Sequence, residues 1–164
     1  MAHTIGINER ARTGFAKAPA YDQHRPAYSP TIVQHLLENL GASGRKNARI
    51  LDLASGTGKF TEALVTRSEQ YDIVAVEPLE SMREVLIDKD LPRVTVKDGR
   101  GEDIPLESGS IDAVICAQVG SCSNRCFLHL SLSHSCISHR LFHVHKQENI
   151  RSWTKHYHRR STGE

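Results

Sequence analysis

The residues with the clearest chemical pattern lie between positions 50 and 60, where the sequence reads ILDLASGTGKF. An apolar run that contains Asp52 leads into a turn of small residues: Ala54, Ser55, Gly56, Thr57 and Gly58. Such a turn lets a ligand approach the backbone beside the unpaired N–H groups of a helix N-terminus. Glu77 ends the next apolar run, where a carboxylate can accept two hydrogen bonds from ribose hydroxyls. The pattern therefore predicts a site for a nucleoside-type cofactor.

Alternating strand and helix signals surround this turn. Short apolar runs predict buried strands at 48–53, 71–76, 93–96 and 110–117, and helical spacing predicts helices at 59–67 and 79–87. Ser29 and Pro30 indicate the start of a further helix, and Gly41 indicates its end. Its predicted apolar face consists of Ile32, Val33, Leu36, Leu37 and Leu40. Strands separated by helices indicate an α/β fold with a parallel sheet.

Length and composition limit the architecture. The chain has 164 residues, of which 38% are hydrophobic and 24% charged, so we expect one globular domain and a tail. No apolar run approaches the ~20 residues of a membrane span. The N-terminus has no apolar segment behind its charges, which predicts a cytoplasmic location with reduced cysteines.

The chain changes character near residue 118. Residues 1–118 carry 14 basic and 17 acidic side chains, whereas residues 119–164 carry 7 and 2. This last stretch also holds seven of the ten histidines and three of the four cysteines. We therefore divide the chain into an N-terminal lid and helix (1–45), a partial cofactor-binding domain (46–118) and an unrelated basic tail rich in His, Cys and Ser (119–164).

Four ordered segments resemble the class I S-adenosylmethionine-dependent methyltransferases, in particular the small-molecule type 11 branch. They are LDLASGTGKFTEAL, VAVEPLESMREVL, GRGEDIPLESGSIDAVICAQ and the upstream Tyr21, Arg25-Pro26 and Tyr28. Together they cover about residues 15–118. The resemblance implies a doubly wound, Rossmann-like methyltransferase domain with S-adenosylmethionine as its cofactor.

The resemblance also implies which residues contact the methionine, ribose and adenine parts of that cofactor. Asp52 and the backbone of residues 54–58 would hold the methionine end. Glu77 would accept hydrogen bonds from the ribose hydroxyls, and Leu79 and Met82 would flank the adenine.

The remaining implied contacts lie farther from the glycine turn. Gly101 would offer its N–H, and Glu102 its carboxylate, to the edge of the adenine. Gln118 would lie near the methyl group at the end of the fourth strand. Tyr21 and Arg25 would approach the site from the N-terminal lid.

The implied reaction is methylation of a small molecule. A sulfonium is a good leaving group, so methyl transfer depends mainly on alignment and on exclusion of water. The sequence identifies no catalytic base, and its basic run 155–160 is interpreted as a solvated tail rather than a nucleic-acid site.

The resemblance stops at Gln118. Family members continue with a helix, a fifth strand and a closing antiparallel pair. We therefore expect a domain truncated after the fourth strand, with an irregular tail and with little or no activity. The fourth strand would be an exposed edge through which molecules self-associate.

Two alternatives stay open at this point. A glycine turn with a distal acid also suits an NAD-dependent oxidoreductase, although that fingerprint wants Gly or Ala where this chain has Thr61. The other alternative is a catalytically dead protein with an interaction or metal-binding tail. The spacing of Cys122, Cys126, His139 and His143 matches a two-Cys, two-His zinc finger, but three cysteines and seven histidines in one tail produce such spacing easily, so no metal site is predicted.

Overall fold

The computed structural model describes residues 18–101 and 103–117, and the backbone of residues 142–146. The helices are α1 (Ala18–His24), α2 (Pro30–Leu40), α3 (Lys59–Val65) and α4 (Glu80–Asp88). The strands are β1 (Arg49–Leu53), β2 (Asp72–Val76), β3 (Val94–Lys97), β4 (Ala113–Ala117) and β5 (Phe142–Lys146).

The strands form one sheet in the order β3-β2-β1-β4-β5. β1 pairs in parallel with β2 and with β4, and β2 pairs in parallel with β3. In this register Leu53 lies beside Val76, so the glycine turn after β1 and Glu77 after β2 leave the sheet at the same edge. The predicted parallel α/β fold is thereby confirmed.

Each face of the sheet carries its own set of buried apolar side chains. Ile50, Ile73 and Ile115 pack with residues of α2 and α3 on one face. Leu51, Val74 and Val114 lie on the other face, with Ile104 and Leu106 packed against them. Because the strand period is two residues, Asp52 shares the face of Ile50 and is directed toward α3. The sheet therefore places this carboxylate in the interior.

Helix α2 begins and ends where the sequence predicts. Ser29 is its N-cap residue, Pro30 is its first residue, and Gly41 adopts a left-handed conformation (φ 64°) at its end. Val33, Leu36, Leu37 and Leu40 are buried, whereas Ile32 is 45% exposed. The prediction that Ile32 belongs to the buried face is wrong, because the helix presents a narrower apolar stripe to the sheet.

Strand β5 corrects two expectations about the tail. Its backbone pairs antiparallel with β4, from Ala113 opposite Lys146 to Ala117 opposite Phe142. The tail is therefore not wholly irregular, and β4 is not the bare edge that the sequence predicts. Self-association stays a prediction but loses this edge as its basis.

No described helix is both long enough and apolar enough to cross a bilayer. In the part of the chain that the structure describes, no cluster of three His, Cys, Asp or Glu side chains could hold a metal ion. Of the four residues with zinc-finger spacing, only the backbone of His143 is described, and it lies in β5 rather than in a helix. The other three lie outside the described residues.

Candidate functional site

The glycine turn folds back onto the end of β2. The N–H groups of Ala54 and Ser55 both donate to the carbonyl of Val76, at 2.8 and 3.2 Å. Ala54, Gly56 and Gly58 have positive φ values of 58°, 58° and 84°. Of these three residues, Ala54 has the least favourable conformation, because a Cβ disfavours the left-handed backbone. The turn is thus held in a conformation that leaves its backbone close to the sheet edge.

The two glycines differ in what surrounds them. A Cβ at Gly58 would collide with Cδ1 of Leu86 in α4, so this glycine allows two helices to pack closely. Among the described residues, a Cβ at Gly56 would meet no atom within 4 Å. The backbone at Gly56 therefore faces open space, as expected where a ligand approaches.

Glu77, which follows β2, holds the glycine turn through hydrogen bonds. One carboxylate oxygen accepts from the N–H of Gly56 at 2.9 Å, and the other accepts from the N–H of Leu79 at 3.0 Å. The side chain is only 5% exposed. Burial raises the pKa of Glu77, although the two backbone hydrogen bonds oppose this effect. Since a carboxylate oxygen has two lone pairs, each can still accept one more hydrogen bond.

Asp52 is the most buried acid of the site, at 1% exposure. Its Oδ2 accepts from the Thr61 hydroxyl at 2.6 Å. Its Oδ1 is buried without a hydrogen-bond partner among the described residues. Burial raises the pKa of Asp52 to about 7, the Thr61 bond lowers it in part, and the charge of Glu77 raises it further. An unsatisfied acceptor of this kind is expected where a ligand or water completes the site.

The N-terminal segment contributes three more side chains, Tyr21, Arg25 and Tyr28, of which Tyr28 is close enough to Asp52 to feel its charge. The Arg25 guanidinium lies over the Tyr21 ring, 5.2 Å from its centroid. Tyr28 packs edge-to-face against Phe60, with ring centroids 5.0 Å apart. Burial raises the pKa of Tyr28 to about 12, with an opposing effect of Arg25 and a smaller contribution from the Asp52 charge. Tyr28, which the predicted site set omits, is therefore within electrostatic reach of both Arg25 and Asp52.

The residues predicted around the adenine lie on the loops after β2 and β3. Leu79 is tied to Glu77 through its N–H, and Met82 is buried in the first turn of α4. Gly101 is buried in a tight turn that is closed by mutual backbone hydrogen bonds between Arg100 and Asp103. Glu102 and Gln118 lie outside the described residues, so their predicted roles stay predictions.

Arg83 is a second residue that the sequence does not single out. Its Nη1 donates to the Glu77 carbonyl at 2.9 Å and lies 3.1 Å from Oδ1 of Asp98. The guanidinium thus connects the ends of β2 and β3. A basic residue four positions after Leu79 is the only signal in the sequence, and it does not reveal this bridge.

These features fit a nucleoside-type cofactor. Oδ1 of Asp52 and Oγ of Ser55 are both buried without partners among the described residues. They flank the open backbone of Gly56, and Glu77 retains free lone pairs beside it. The site therefore offers acceptors where ribose hydroxyls and an ammonium group can donate.

Comparison with known proteins agrees with this geometry. Residues 50–130 match a family model described as a methyltransferase domain, which extends past Gln118. An uncharacterized methyltransferase of Mycobacterium tuberculosis is 43% identical over 99 residues, which are 60% of this chain and 37% of that relative. One from Schizosaccharomyces pombe is 35% identical over 98 residues, covering 60% of this chain and 38% of that relative.

The fold is also similar to solved structures. Haemonchus contortus phosphoethanolamine N-methyltransferase 2, in complex with S-adenosyl-L-methionine, has a TM-score of 0.54 at 14% identity and covers 79% of this chain and 40% of its own. The chain spans 37% to 39% of the length of the curated relatives it matches.

Proposed function

We propose that this chain, whose family match and curated relatives are methyltransferases, binds S-adenosylmethionine at the carboxyl edge of β1 and β2. The observation that carries the proposal is the arrangement of two buried carboxylates around an open glycine backbone. Asp52 and Glu77 are 1% and 5% exposed, and a Cβ at Gly56 would contact no atom of the part of the chain that the structure describes.

Each group of residues has a distinct task in this proposal. The unpartnered Oδ1 of Asp52 and the backbone around Gly56 hold the methionine end. Glu77 accepts hydrogen bonds from the ribose hydroxyls while it keeps its bonds to Gly56 and Leu79. Leu79 and Met82 border the adenine. When bound, the cofactor supplies a methyl group activated as a sulfonium.

The reaction that we propose is methyl transfer to a small molecule. Such a transfer requires the acceptor to lie in line with the methyl group and requires water to be excluded. The N-terminal segment supports this assignment, because Arg25 lies over the Tyr21 ring and Tyr28 feels the charges of both Arg25 and Asp52. In this proposal, the three side chains cover the edge of the cofactor. The type 11 branch and the identity of the acceptor remain part of the proposal.

We further propose that turnover by the 164-residue chain is slow compared with its cofactor binding. Beyond β4, the sheet continues with the antiparallel strand Phe142–Lys146, whereas the resemblance implies a helix and a fifth strand before the closing antiparallel pair. The residues proposed to bind the cofactor lie mainly at the ends of β1 and β2 and near α3, and the strand that follows β4 does not contribute to them. Cofactor binding and turnover are therefore separable.

Isothermal titration with S-adenosylhomocysteine tests the proposal, with NAD titrated in parallel. We expect S-adenosylhomocysteine to bind with a micromolar dissociation constant and NAD to show no heat of binding. Asp72→Asn is the matched control, because Asp72 lies at the opposite end of β2 from Glu77 and pairs with Arg93 at the surface. Binding of NAD instead would favour the oxidoreductase alternative.

A further inference from the structure

Helix α1 is joined to the glycine turn by a group of charged side chains that the cofactor contacts do not include. Asp22 of α1 lies 3.2 Å from Nζ of Lys59 and 2.9 Å from Nζ of Lys89. The hydroxyl of Thr57 also donates to the Asp22 carboxylate. We name the three residues Asp22, Lys59 and Lys89 the α1 clasp.

The α1 clasp reaches the turn directly. Nζ of Lys89 donates to the carbonyl of Thr57 at 2.7 Å, and Lys59 is the first residue of α3 after Gly58. Asp22 therefore contacts the turn through Thr57 and through both lysines. One short helix, the glycine turn and α4 meet at this carboxylate.

These ion pairs are partly shielded from water. The side chains of Asp22 and Lys89 are each 15% exposed, and that of Lys59 is 22% exposed. Burial by itself would raise the pKa of Asp22, but hydrogen bonds from Thr57, Lys89 and Lys59 outweigh it and hold the pKa below its usual range. Asp22 is therefore charged at neutral pH, and its pairs are stronger than those between fully exposed groups.

Asp22 is adjacent to the two lid residues of the proposed site. Tyr21 precedes it, and Arg25 lies one turn later, where its N–H donates to the Asp22 carbonyl. Any movement of Asp22 relative to the turn must therefore move Tyr21 and Arg25 relative to Asp52. In a helix of seven residues, which is too short to be stable alone, such tertiary contacts decide the position.

We infer that Asp22 is a positioning residue, which acts through the α1 clasp to hold Tyr21 and Arg25 over the methionine end of the cofactor. This inference rests on the proposed cofactor site. It assigns to Asp22 no contact with the cofactor itself. The clasp sets how long the lid side of the site stays closed, and hence mainly the dissociation rate of the ligand.

The test compares Asp22→Asn with the wild-type chain in two measurements. Hydrogen exchange of residues 18–25 in the ligand-free protein reports whether α1 is held, and surface plasmon resonance with S-adenosylhomocysteine reports the dissociation rate. For Asp22→Asn we expect at least tenfold faster exchange in this segment and a five- to tenfold faster dissociation. Methylthioadenosine, which lacks the amino-acid end, should dissociate at the same rate from both proteins.

Glu62→Gln is the matched control. Glu62 contacts the same two lysines, at 3.6 Å from Lys59 and 2.9 Å from Lys89, but it belongs to α3 and does not tie α1 to the turn. Glu62→Gln should keep both the hydrogen exchange of residues 18–25 and the dissociation rate of S-adenosylhomocysteine within twofold of wild type. Asp22→Glu, which keeps the charge, should recover part of the slow dissociation.

The outcomes separate the two proposals. If wild-type protein does not bind S-adenosylhomocysteine, the proposed function is wrong. If wild type binds and Asp22→Asn leaves either the exchange or the dissociation rate unchanged, Asp22 is not a positioning residue. A loss of folding in Asp22→Asn would appear as faster exchange throughout the sheet. In that case the two measurements are made on Lys89→Met, which removes one partner of Asp22 and keeps Asp22 itself. If this variant leaves either the exchange of residues 18–25 or the dissociation rate unchanged, Asp22 is not a positioning residue.

Discussion

The Thr61 hydroxyl lies 2.6 Å from Oδ2 of Asp52, and both side chains are buried. In a dinucleotide-binding fingerprint, this helix position holds a small residue that lets helix and strand pack closely. Here it holds a hydroxyl that donates to one carboxylate oxygen, while the other is buried without a partner among the described residues. Thr61 therefore leaves Oδ1 as the oxygen of Asp52 that the proposed ligand would meet.

The buried state of Asp52 predicts that cofactor binding depends on pH. Burial raises its pKa to about 7, so the carboxyl of the ligand-free protein is largely protonated at pH 6. The methionine ammonium favours the ionised form, so affinity for S-adenosylhomocysteine should rise between about pH 5.5 and 7.5, below the range of about 7.7–8.0 in which α-amino groups lose their proton. Titration calorimetry at several pH values, in buffers of different ionisation heat, measures both the affinity and the released proton.

The raised pKa of Asp52 has the opposite effect on the stability of the ligand-free protein, which should fall as the pH rises. The folded pKa is higher than the unfolded one, so the contribution of Asp52 to stability is present at low pH and is lost as pH rises through about 7. Asp52→Asn should remove both dependences. A pH-independent dissociation constant in wild type would contradict the assignment of Asp52 to the methionine end.

Replacement of Glu77 should weaken both cofactor binding and the fold. Glu77→Ala removes charge-assisted hydrogen bonds worth about 1.5–3 kcal/mol, which corresponds to a loss of affinity of roughly tenfold or more. It also leaves the N–H groups of Gly56 and Leu79 without their acceptor, so urea unfolding should show a loss of about 1–3 kcal/mol. Glu77→Gln, which keeps one carbonyl oxygen, should lose less stability. If Glu77→Ala binds the cofactor with unchanged affinity, the assignment of Glu77 to the ribose hydroxyls is wrong.

The two glycines of the turn should respond differently to alanine. Both have positive φ, so each variant loses roughly 1–2 kcal/mol of stability from backbone strain. Gly58→Ala should lose about 1–3 kcal/mol more, because its Cβ collides with Leu86. In Gly56→Ala the added Cβ contacts no described residue but fills the space beside Glu77, so this variant should lose the larger share of cofactor affinity. Urea unfolding and titration calorimetry on both variants provide the comparison, and equal losses in the two assays would contradict it.

Glu69 should dominate the acid sensitivity of the far end of the sheet. Hydrogen bonds from Arg67 hold the pKa of this buried carboxylate at about 2, against the effect of burial, and the N–H of Gly44 adds to this. Because the folded pKa is lowered, the stabilisation is complete above the unfolded value near 4.3 and is lost as pH falls toward about 2. Glu69→Gln should therefore lose about 1.5–3 kcal/mol at pH 7 and much less near pH 2. Urea unfolding of wild type and Glu69→Gln from pH 7 to about pH 2 measures this difference. An equal loss of stability at both pH values would contradict the prediction.

The sequence by itself determined the fold class and the place of the site. Alternating apolar runs and helical spacing are local properties, and the predicted helices supply the crossover connections that neighbouring parallel strands require. The turn after Leu53 and the acid at Glu77 therefore had to meet at one edge of the sheet. The helix from Pro30 to Gly41 could be predicted for the same reason, because its proline and glycine end signals are local.

Only the tertiary structure decided how the residues of the site are partnered. The sequence does not reveal the partners of Thr61, Asp22 and Arg83, because these partners lie 9, 67 and 15 positions away. The exposure of Ile32 and the pairing of β4 with β5 likewise depend on which neighbours are present. A periodic pattern shows that a side chain can be buried. Which partner it meets follows from long-range packing, and this packing gives Asp52 its raised pKa and Asp22 its hold on the glycine turn.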